Sequence, residues 1–371
     1  MRIRPFGLER FFARWEFSTD FSLSSSDCET LSVARLLALE PGAQERLLEL
    51  QLGYPPVEGS AELRSAAATS YERVEDDDVL VVAAAEEGIF LAYHALLGPG
   101  DHAIVETPCY ASAVEVARSA GADVSCWQRR DADAWGYDLE RLAGLLRPDT
   151  KLLYVNTPHN PTGSQMPRET FDGVMELAAE RSLIVLSDEV YAGLEHDPER
   201  RLPAACDRYE NAISLNAVSK AYGLPGLRVA WMASRNHALL EPIADLKLYT
   251  TICSSAPGEL LAAIALRHRE TLTRRTRKLV ADNLAVADDL VERRDELISW
   301  VRPVAGSTGL VRVADEIDVD SWCGHLAEHA RVLLLPGSVF DEPRHVRLGL
   351  GRRNFGAAIA RLDDHLDGRP R

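Results

Sequence analysis

Cysteine motifs, long apolar runs and an excess of positive charge are all missing from this sequence of 371 residues. Its six cysteines are scattered and form no Cys-x-x-Cys pair, which argues against a disulfide framework and a zinc site. No stretch approaches the roughly 20 apolar residues of a membrane span, and the first residues lack an apolar signal core. We therefore expect a cytoplasmic protein with reduced cysteines and no bound metal.

The shortage of positive charge limits which kinds of partner the protein is expected to bind. Asp and Glu number 57 against 41 Lys and Arg, which gives a formal net charge of −16. Nucleic acids and anionic membrane surfaces both attract basic patches, so neither is an expected partner. A small molecule fits this composition better. The chain is also long and 46% hydrophobic, enough for a large core in two domains or in one domain with a smaller partner.

The most informative stretch is a lysine just after an apolar strand. Residues 212–215 form the strand, and Lys220 follows in a segment that Gly223 and Gly226 break. A poorly solvated lysine is more easily neutral, and a neutral amine attacks carbonyl groups. Arg228 lies eight residues further on, so the two cations can face one anionic ligand. The alternative interpretation is an ordinary helix start on the surface at Ser219 and Lys220.

Four earlier segments share a pattern in which a buried strand precedes polar or small residues. The strands are predicted at 79–83, 103–105, 151–155 and 182–186, and their exits carry Ala85 with Glu86, Tyr110, Asn160, and Asp188 with Tyr191. The first exit leads into a helix predicted over 89–97, a geometry that binds phosphate through free backbone N–H groups. Taken singly, the later exits have ordinary explanations: packing for Tyr110, a turn for Asn-Pro-Thr-Gly and a helix cap for Asp188.

Taken together, these segments resemble the aspartate-aminotransferase superfamily, the fold-type-I enzymes that depend on pyridoxal phosphate (PLP). Six motifs between residues 53 and 351 stand in the order found in class I and II aminotransferases. The resemblance implies an α/β fold, with a mostly parallel sheet in a large domain and a smaller α+β domain. It implies an N-terminal arm that joins the small domain (residues 1–45), a PLP-binding domain (46–255), and a small domain with a long connecting helix (256–371).

The resemblance also implies a role for each candidate residue. Lys220 holds the cofactor as an internal aldimine, and Asp188 keeps the pyridine nitrogen protonated, so that the ring accepts electrons from the substrate's Cα. Asn160 binds the phenolic oxygen and orients the substrate, while Tyr191 completes the family's Asp-x-x-Tyr motif. Arg347, inside a short apolar strand, matches the arginine that grips the substrate carboxylate.

The remaining candidates surround the cofactor. Tyr110 matches the aromatic residue that stacks on the pyridine ring, and the phosphate contacts implied are the backbone at Ala85 and Glu86, the hydroxyl of Ser219, and Arg228. Tyr54 matches the tyrosine that reaches the phosphate of the neighbouring subunit, which implies a homodimer with shared sites. Two positions depart from the family: Ala217 replaces a serine, and Glu86 with Glu87 stands where glycine, serine or threonine is usual.

The function predicted from this resemblance is transamination of an amino acid at its α-amino group. Elimination, cyclisation or oxidation shares the early chemistry, and capreomycidine-synthase-like enzymes, which act on arginine derivatives, are the relatives of this kind. A third alternative is a PLP-binding sensor domain of a transcription regulator. Such regulators carry an N-terminal helix-turn-helix domain, whereas only about 50 residues precede the first motif here.

The acidic N-terminal segment bears on the substrate. Glu16, Asp27 and Glu29 supply negative charge near the expected substrate end. Carboxylates facing a desolvated pocket favour a cationic side chain and repel aspartate or glutamate. We therefore predict a preference for basic or neutral amino acids, with solvated or helix-capping acids as the alternative interpretation.

Overall fold

The strands follow the apolar runs of the sequence, and most of them belong to one large sheet. The structure is a computed structural model and describes residues 3–367. Its strands are β1 (Phe21–Ser22), β2 (Val79–Val82), β3 (His102–Thr107), β4 (Asp123–Gln128), β5 (Thr150–Asn156), β6 (Ile184–Asp188), β7 (Ala212–Ala217), β8 (Ala230–Ala233), β9 (Ile298–Trp300), β10 (Thr308–Val313), β11 (Val332–Leu333), β12 (Leu335–Pro336) and β13 (His345–Gly349). The large sheet has the order β2-β8-β7-β6-β5-β3-β4, and all pairs from β7 to β4 are parallel. The predicted α/β class with a mostly parallel sheet is confirmed.

Helices cover both faces of this sheet. They are α1 (Gly7–Trp15), α2 (Val33–Leu37), α3 (Ala43–Leu48), α4 (Ala61–Ala68), α5 (Ala85–Leu96), α6 (Ser112–Ser119), α7 (Leu139–Leu145), α8 (Arg168–Glu180), α9 (Ala205–Arg208), α10 (His237–Lys247), α11 (Ala256–Arg267), α12 (Arg269–Arg293), α13 (Val319–His325) and α14 (Phe355–Asp367). Leu153 and Val155 of β5 share a buried cluster with Phe171 of α8, whereas Leu152 and Tyr154 belong to the cluster that includes α5. Alternate side chains of each strand therefore fill opposite layers of the core. Within residues 3–367, no helix has the length and apolar character needed to cross a membrane.

Two predicted boundaries differ from the structure. Helix α5 begins at Ala85 rather than at residue 89. Alanine and glutamate favour helices, and the Glu87 carboxylate accepts the Ala83 N–H at 2.6 Å, which extends the helix towards the strand. The long connecting helix expected after residue 255 is two helices, α11 and α12, because His268 leaves helical geometry between them with φ −107° and ψ 21°.

Strand β8 is the one antiparallel member of the large sheet. It pairs antiparallel with both β7 and β2. Parallel neighbours are usually joined by a crossover helix, and residues 218–229, between β7 and β8, contain no α-helix. Residues 225–227 form a single 3-10 turn and Arg228 adopts left-handed geometry with φ 52°, so β8 begins only at Ala230.

A second sheet, antiparallel and of four strands, joins the two ends of the chain. Its order is β12-β13-β10-β9, and β1 pairs parallel with β11 beside it. Backbone N–H groups of Gly349 and Glu29 donate across to Leu23 and Gly351 carbonyls, both at 2.7 Å. The N-terminal segment thus runs along β13. A Cβ at Gly349 would lie 2.1 Å from the Ser25 carbonyl oxygen, so this close approach requires glycine. The domain limits at residues 45 and 255 stay predictions.

Candidate active site

A cavity of about 410 Å³ lies at the carboxyl ends of the parallel strands, where open α/β sheets usually bind ligands. Ten of the predicted site residues line it: Ala85, Glu86, Tyr110, Asn160, Asp188, Tyr191, Ser219, Lys220, Arg228 and Arg347. Tyr54 does not, and its side chain is 92% exposed. A larger cavity of about 550 Å³ lies beside the first and shares only Glu86 with the predicted set. The structure therefore gathers residues that are scattered along the sequence.

Lys220 lies three residues beyond β7, with its amine in the cavity. Its Nζ donates a hydrogen bond to Ser26 Oγ at 2.8 Å. Burial lowers the pKa of Lys220, the Asp27 carboxylate opposes this effect, and Arg347 adds to it. A lowered pKa increases the neutral fraction of the amine, which is the nucleophilic form. Sequence analysis missed Ser26, because nothing in the chain links residues 26 and 220 except the fold.

Asp188 ends β6 beside Asn156 of β5, which is its partner in the sheet register. Its Oδ2 accepts a hydrogen bond from the Tyr154 hydroxyl at 3.0 Å, and its Oδ1 accepts the Val190 N–H at 3.2 Å. Burial raises the pKa of Asp188 to about 6. A carboxylate in this state is stabilised by a cation placed against it. Tyr154 was also missed, although its position two residues before Asn156 puts both side chains on the same face of β5.

Asn160 and Arg347 contact each other across the cavity. Arg347 Nη1 donates to Asn160 Oδ1 at 3.2 Å, and its Nε and Nη2 donate to the Ser24 carbonyl at 3.1 and 2.6 Å. Burial lowers the pKa of Arg347, whose exposed fraction is 1%. Within residues 3–367 it forms no ion pair with a carboxylate. This buried fork can bind a planar anion that enters the cavity.

The first turn of α5 faces the same space. Its N-cap residue, Ala84, supplies no side-chain cap, and Ala84, Ala85 and Glu86 line the cavity, so this uncapped, positive end of the helix dipole lies at the cavity. Ser219 and Arg228 line the cavity with them, and Arg228 Nη1 also donates to the Pro225 carbonyl at 3.1 Å. Backbone donors, a hydroxyl and a guanidinium fit a phosphate group.

The two glutamates of this turn point in different directions. Glu87 is not in the cavity lining: besides the Ala83 N–H it accepts hydrogen bonds from the Thr250 and Thr251 hydroxyls, both at 2.8 Å. Glu86 does line the cavity, and burial raises its pKa to about 7. This shift keeps part of the Glu86 carboxyl protonated near pH 7, which weakens its repulsion of a neighbouring anion.

Helix α1 forms the opposite wall, where only Glu16 was expected from the sequence. The helix contributes Leu8, Glu9 and Phe12, and Glu16 is its C-cap residue. The Tyr110 hydroxyl donates to Glu9, and the Tyr110 ring lies 4.7 Å from that of Phe6. Residues 9–17 have the amphipathic pattern of a helix that packs against another element, but no local signal shows where it docks.

Two of the three N-terminal carboxylates named from the sequence line the cavity. Glu16 is part of the lining, and partial burial raises its pKa. Asp27 also lines it and accepts two hydrogen bonds from Arg352 Nη2, at 3.0 and 3.1 Å. Glu29 is not in the lining: its carboxylate accepts the Arg353 N–H at 3.1 Å. The expectation for Glu29 is therefore wrong, because it caps the segment after β13.

Tyr191 lies on the turn after β6 and is 2% exposed. It lines the cavity near Arg347, and burial raises its pKa. Among residues 3–367, no group of His, Cys, Asp and Glu side chains is arranged to hold a metal ion. The donor set fits PLP: an amine for its aldehyde, a carboxylate for its ring nitrogen, an amide for its phenolic oxygen and a phosphate cradle.

Comparison with known proteins identifies the aminotransferase family that the sequence motifs resemble. The sequence model of aminotransferase class I and II matches residues 21–354. Capreomycidine synthase from Streptomyces vinaceus is 29% identical, with 98% of this chain and 95% of that protein covered. The crystal structure of a PLP-dependent aminotransferase from Streptococcus suis superposes with a TM-score of 0.94 at 31% identity, covering all of both chains. That of the PLP-dependent cyclase OrfR gives 0.91 at 30%, covering 100% of this chain and 99% of the cyclase.

Proposed function

Since the chain belongs to the aminotransferase class I and II family, we propose that it transfers the α-amino group of an amino acid through Lys220. The observation that carries this proposal is the shared cavity, which brings the Lys220 amine together with Asp188, Asn160 and Arg347. The chain is a PLP-dependent enzyme of fold type I, and its cofactor is pyridoxal phosphate. When bound, PLP withdraws electrons from the substrate's Cα.

Each residue has one task in this proposal. Asp188 holds a proton at the ring nitrogen, because the cation relieves the burial of its carboxylate. Arg347 binds the substrate's α-carboxylate, and Asn160 orients the ring and the substrate beside it. Lys220, once freed by the incoming amine, moves the Cα proton as a neutral base. Tyr110, Tyr191, Ser219, Arg228 and the first turn of α5 hold the ring and phosphate.

Chemical labelling followed by a single half-reaction tests the proposal. Borohydride treatment of the PLP-loaded protein should fix the cofactor on Lys220, as read by peptide mass. Lys247 is the internal control, since it is fully buried but donates to the Val57 and Val81 carbonyls away from the cavity. An unmodified Lys220 contradicts the attachment. Single amino acids are then added without a keto acid, and transamination should release about one keto acid per site.

Cyclisation or elimination of an arginine derivative is the second candidate. It is favoured by similarity along nearly the whole chain to capreomycidine synthase and to the cyclase OrfR. The same half-reaction separates the two functions. Ammonia or a cyclised product, without conversion of the cofactor to its amine form, supports this candidate over transamination.

The charges in the cavity support a basic or neutral amino acid as substrate. Five carboxyl groups line it, those of Glu9, Glu16, Asp27, Glu86 and Asp188, against three cations, Lys220, Arg228 and Arg347. In the proposal, the cofactor and the substrate's α-carboxylate occupy all three cations. A side-chain carboxylate would then meet only like charge, whereas a cationic side chain would find partners. Glutamate reacting fastest in the amino-acid panel would contradict this preference.

We further propose a homodimer with shared sites. Leu52, Tyr54 and Tyr249 are 81%, 92% and 88% exposed, and Lys247 links their two segments through the Val57 carbonyl. Such an exposed apolar patch marks an interaction surface. Mixing Tyr54→Phe chains with Lys220→Ala chains should restore part of the activity, because one hybrid site is intact. Absence of recovery after proven subunit exchange contradicts shared sites. We place the enzyme in the cytoplasm, in keeping with its six free cysteines.

A further inference from the structure

An ion pair lies buried beneath the site and outside the cavity lining. Glu106 is on β3 and Arg129 follows β4, and their carboxylate and guanidinium are 2.6 Å apart with both side chains 1% exposed. Neither residue lines the cavity. Burying such a pair costs several kcal/mol per ion in desolvation, so by itself it is weak evidence for added stability. The other contacts of the pair indicate what it does.

Each member of the pair holds one end of the loop at residues 156–164. Glu106 Oε2 accepts the N–H of Asn156, the first residue of this loop, at 2.9 Å. Arg129 Nη2 donates to Ser164 Oγ, at the other end of the loop. Because Glu106 and Arg129 also bind each other, the two loop ends are tied to one charged unit.

Hydrogen bonds inside the loop carry this constraint to the cavity. Asn156 Oδ1 accepts the Asn160 N–H at 2.8 Å, and Asn156 Nδ2 donates to the Asp188 carbonyl at 2.9 Å. Asn160 Oδ1 in turn accepts from Arg347. A shift of the Asn156 backbone would therefore move the amide of Asn160 and loosen one contact of Arg347.

Arg129 is itself held in a fixed orientation. Its Nε donates to the Trp135 carbonyl at 2.9 Å, and its guanidinium lies 3.8 Å from the centre of the Tyr137 ring. The Trp135 ring contacts His345, at 5.6 Å between ring centres, two residues before Arg347 on β13. A planar guanidinium can make these contacts together, whereas a lysine amine cannot.

We propose that Glu106 and Arg129 are positioning residues, which fix Asn160 and Arg347 for substrate binding by clamping both ends of the 156–164 loop. The inference rests on the proposed function, which gives Asn160 and Arg347 their roles in substrate binding. The clamp itself is a property of the loop, and it is measured without turnover.

Hydrogen exchange of the PLP-loaded full chain measures the clamp. Arg129→Met and the double variant Glu106→Gln with Arg129→Met should exchange the 156–164 segment at least about tenfold faster than wild type. The single variant leaves a buried unpaired carboxylate and should lose stability, whereas the double variant should recover most of it because no unpaired charge remains. If the pair only stabilised the protein, a thermally stable double variant would exchange the loop as slowly as wild type. Fast loop exchange in such a variant therefore supports the clamp.

Leu142→Ala is the matched control for loss of stability. Leu142 is fully buried in the cluster with Trp127 and Phe171, and its apolar side chain takes no part in the hydrogen bonds of the clamp. We expect a lower unfolding temperature and unchanged exchange of the loop. Equal acceleration in Leu142→Ala, or full protection of the loop in the double variant, overturns the clamp.

Ligand affinity links the clamp to the site. Binding of 2-aminoisobutyrate, which has no Cα proton to lose, is followed by the cofactor's absorbance. Arg129→Lys keeps the charge but not the fork, so it should bind this probe about tenfold more weakly with nearly normal stability. Wild-type affinity in Arg129→Lys overturns the positioning role. If wild type itself neither binds nor reacts with amino acids while loop exchange behaves as expected, the proposed function fails and the clamp stands.

Discussion

The two walls of the cavity are built in different ways. Asp188, Asn160 and Lys220 lie at or just beyond the ends of neighbouring parallel strands, and Asp188 is held within that edge by Tyr154, 34 residues away. Asn160 and Lys220 also contact the opposite wall, through Arg347 and Ser26. The opposite wall joins α1, residues 24–27 and Arg347, so that Ser24 and Arg347 meet across 323 residues. In the proposed function, the strand-end wall holds the cofactor and moves the Cα proton, and the other wall holds the charges that meet the substrate. We therefore expect the choice of substrate to reside in that other wall.

Lys220→Ala should have the largest effect on turnover, and it changes the strand-end wall alone. Without the amine there is neither covalent attachment nor a base for the Cα proton, so turnover should fall by more than about 1000-fold. Ser26→Ala, which removes the opposite wall's contact with the same amine, should cost only a few-fold. Steady-state rates of both variants decide this. Similar losses of turnover in the two variants would contradict the functional distinction between the two walls.

Asp188→Asn should stabilise the cofactor-free protein above pH 6. The pKa of Asp188 is raised from 3.8 to about 6, so between these values the unfolded state releases a proton that the folded state keeps, and stability falls as pH rises. Above pH 6 the penalty is complete, at about 3 kcal/mol. Urea unfolding at pH 4 and pH 8 should show the variant's advantage only at pH 8.

Asp207→Asn is the control variant, for which we expect the opposite change in stability. The buried Asp207 carboxylate accepts N–H bonds from Glu72 and Arg73, at 3.0 and 2.8 Å, so its loss should destabilise the protein. An Asp188→Asn protein less stable than wild type at pH 8 would show that its carboxylate is structural.

Arg347→Ala should lower kcat/KM about 10- to 150-fold, because one charged hydrogen-bonding fork to the substrate is lost. The absorbance of the resting PLP-loaded protein should stay nearly unchanged, since Arg347 belongs to the substrate's wall. Arg347→Lys keeps the charge and should lose less. A changed resting spectrum in both variants would place Arg347 with the cofactor instead.

The smallest effect is expected from Glu9→Gln combined with Glu16→Gln. Removing two partly solvated charges should reduce the ratio of kcat/KM for lysine over leucine about two- to tenfold. Glutamine at position 9 can still accept the Tyr110 hydroxyl hydrogen bond. Glu29→Gln, outside the cavity lining, is the matched control and should leave the ratio unchanged. An unaltered ratio in the double variant assigns these acids a structural role.

Much of the fold and of the strand-end wall could be predicted from sequence, because their signals are local. Apolar runs marked the strands, and polar residues at their exits marked Asp188, Asn160 and Tyr191. The antiparallel direction of β8 was not predicted, since a strand that returns directly and a strand that follows a helical crossover show the same kind of apolar run. Ser26, Tyr154, Glu9 and the Glu106–Arg129 clamp were missed because their partners lie elsewhere in the sequence.

The sequence by itself determined the family, the α/β class and the chemistry of one wall, since period, spacing and residue type act over a few residues. Tertiary structure alone decided which carboxylates face the cavity. It turned Glu16 into the cavity and Glu29 away from it, although both stand in the same acidic segment. The physical reason is that the direction of a side chain is set by the strand or helix it packs against, and those partners lie near the far end of the chain.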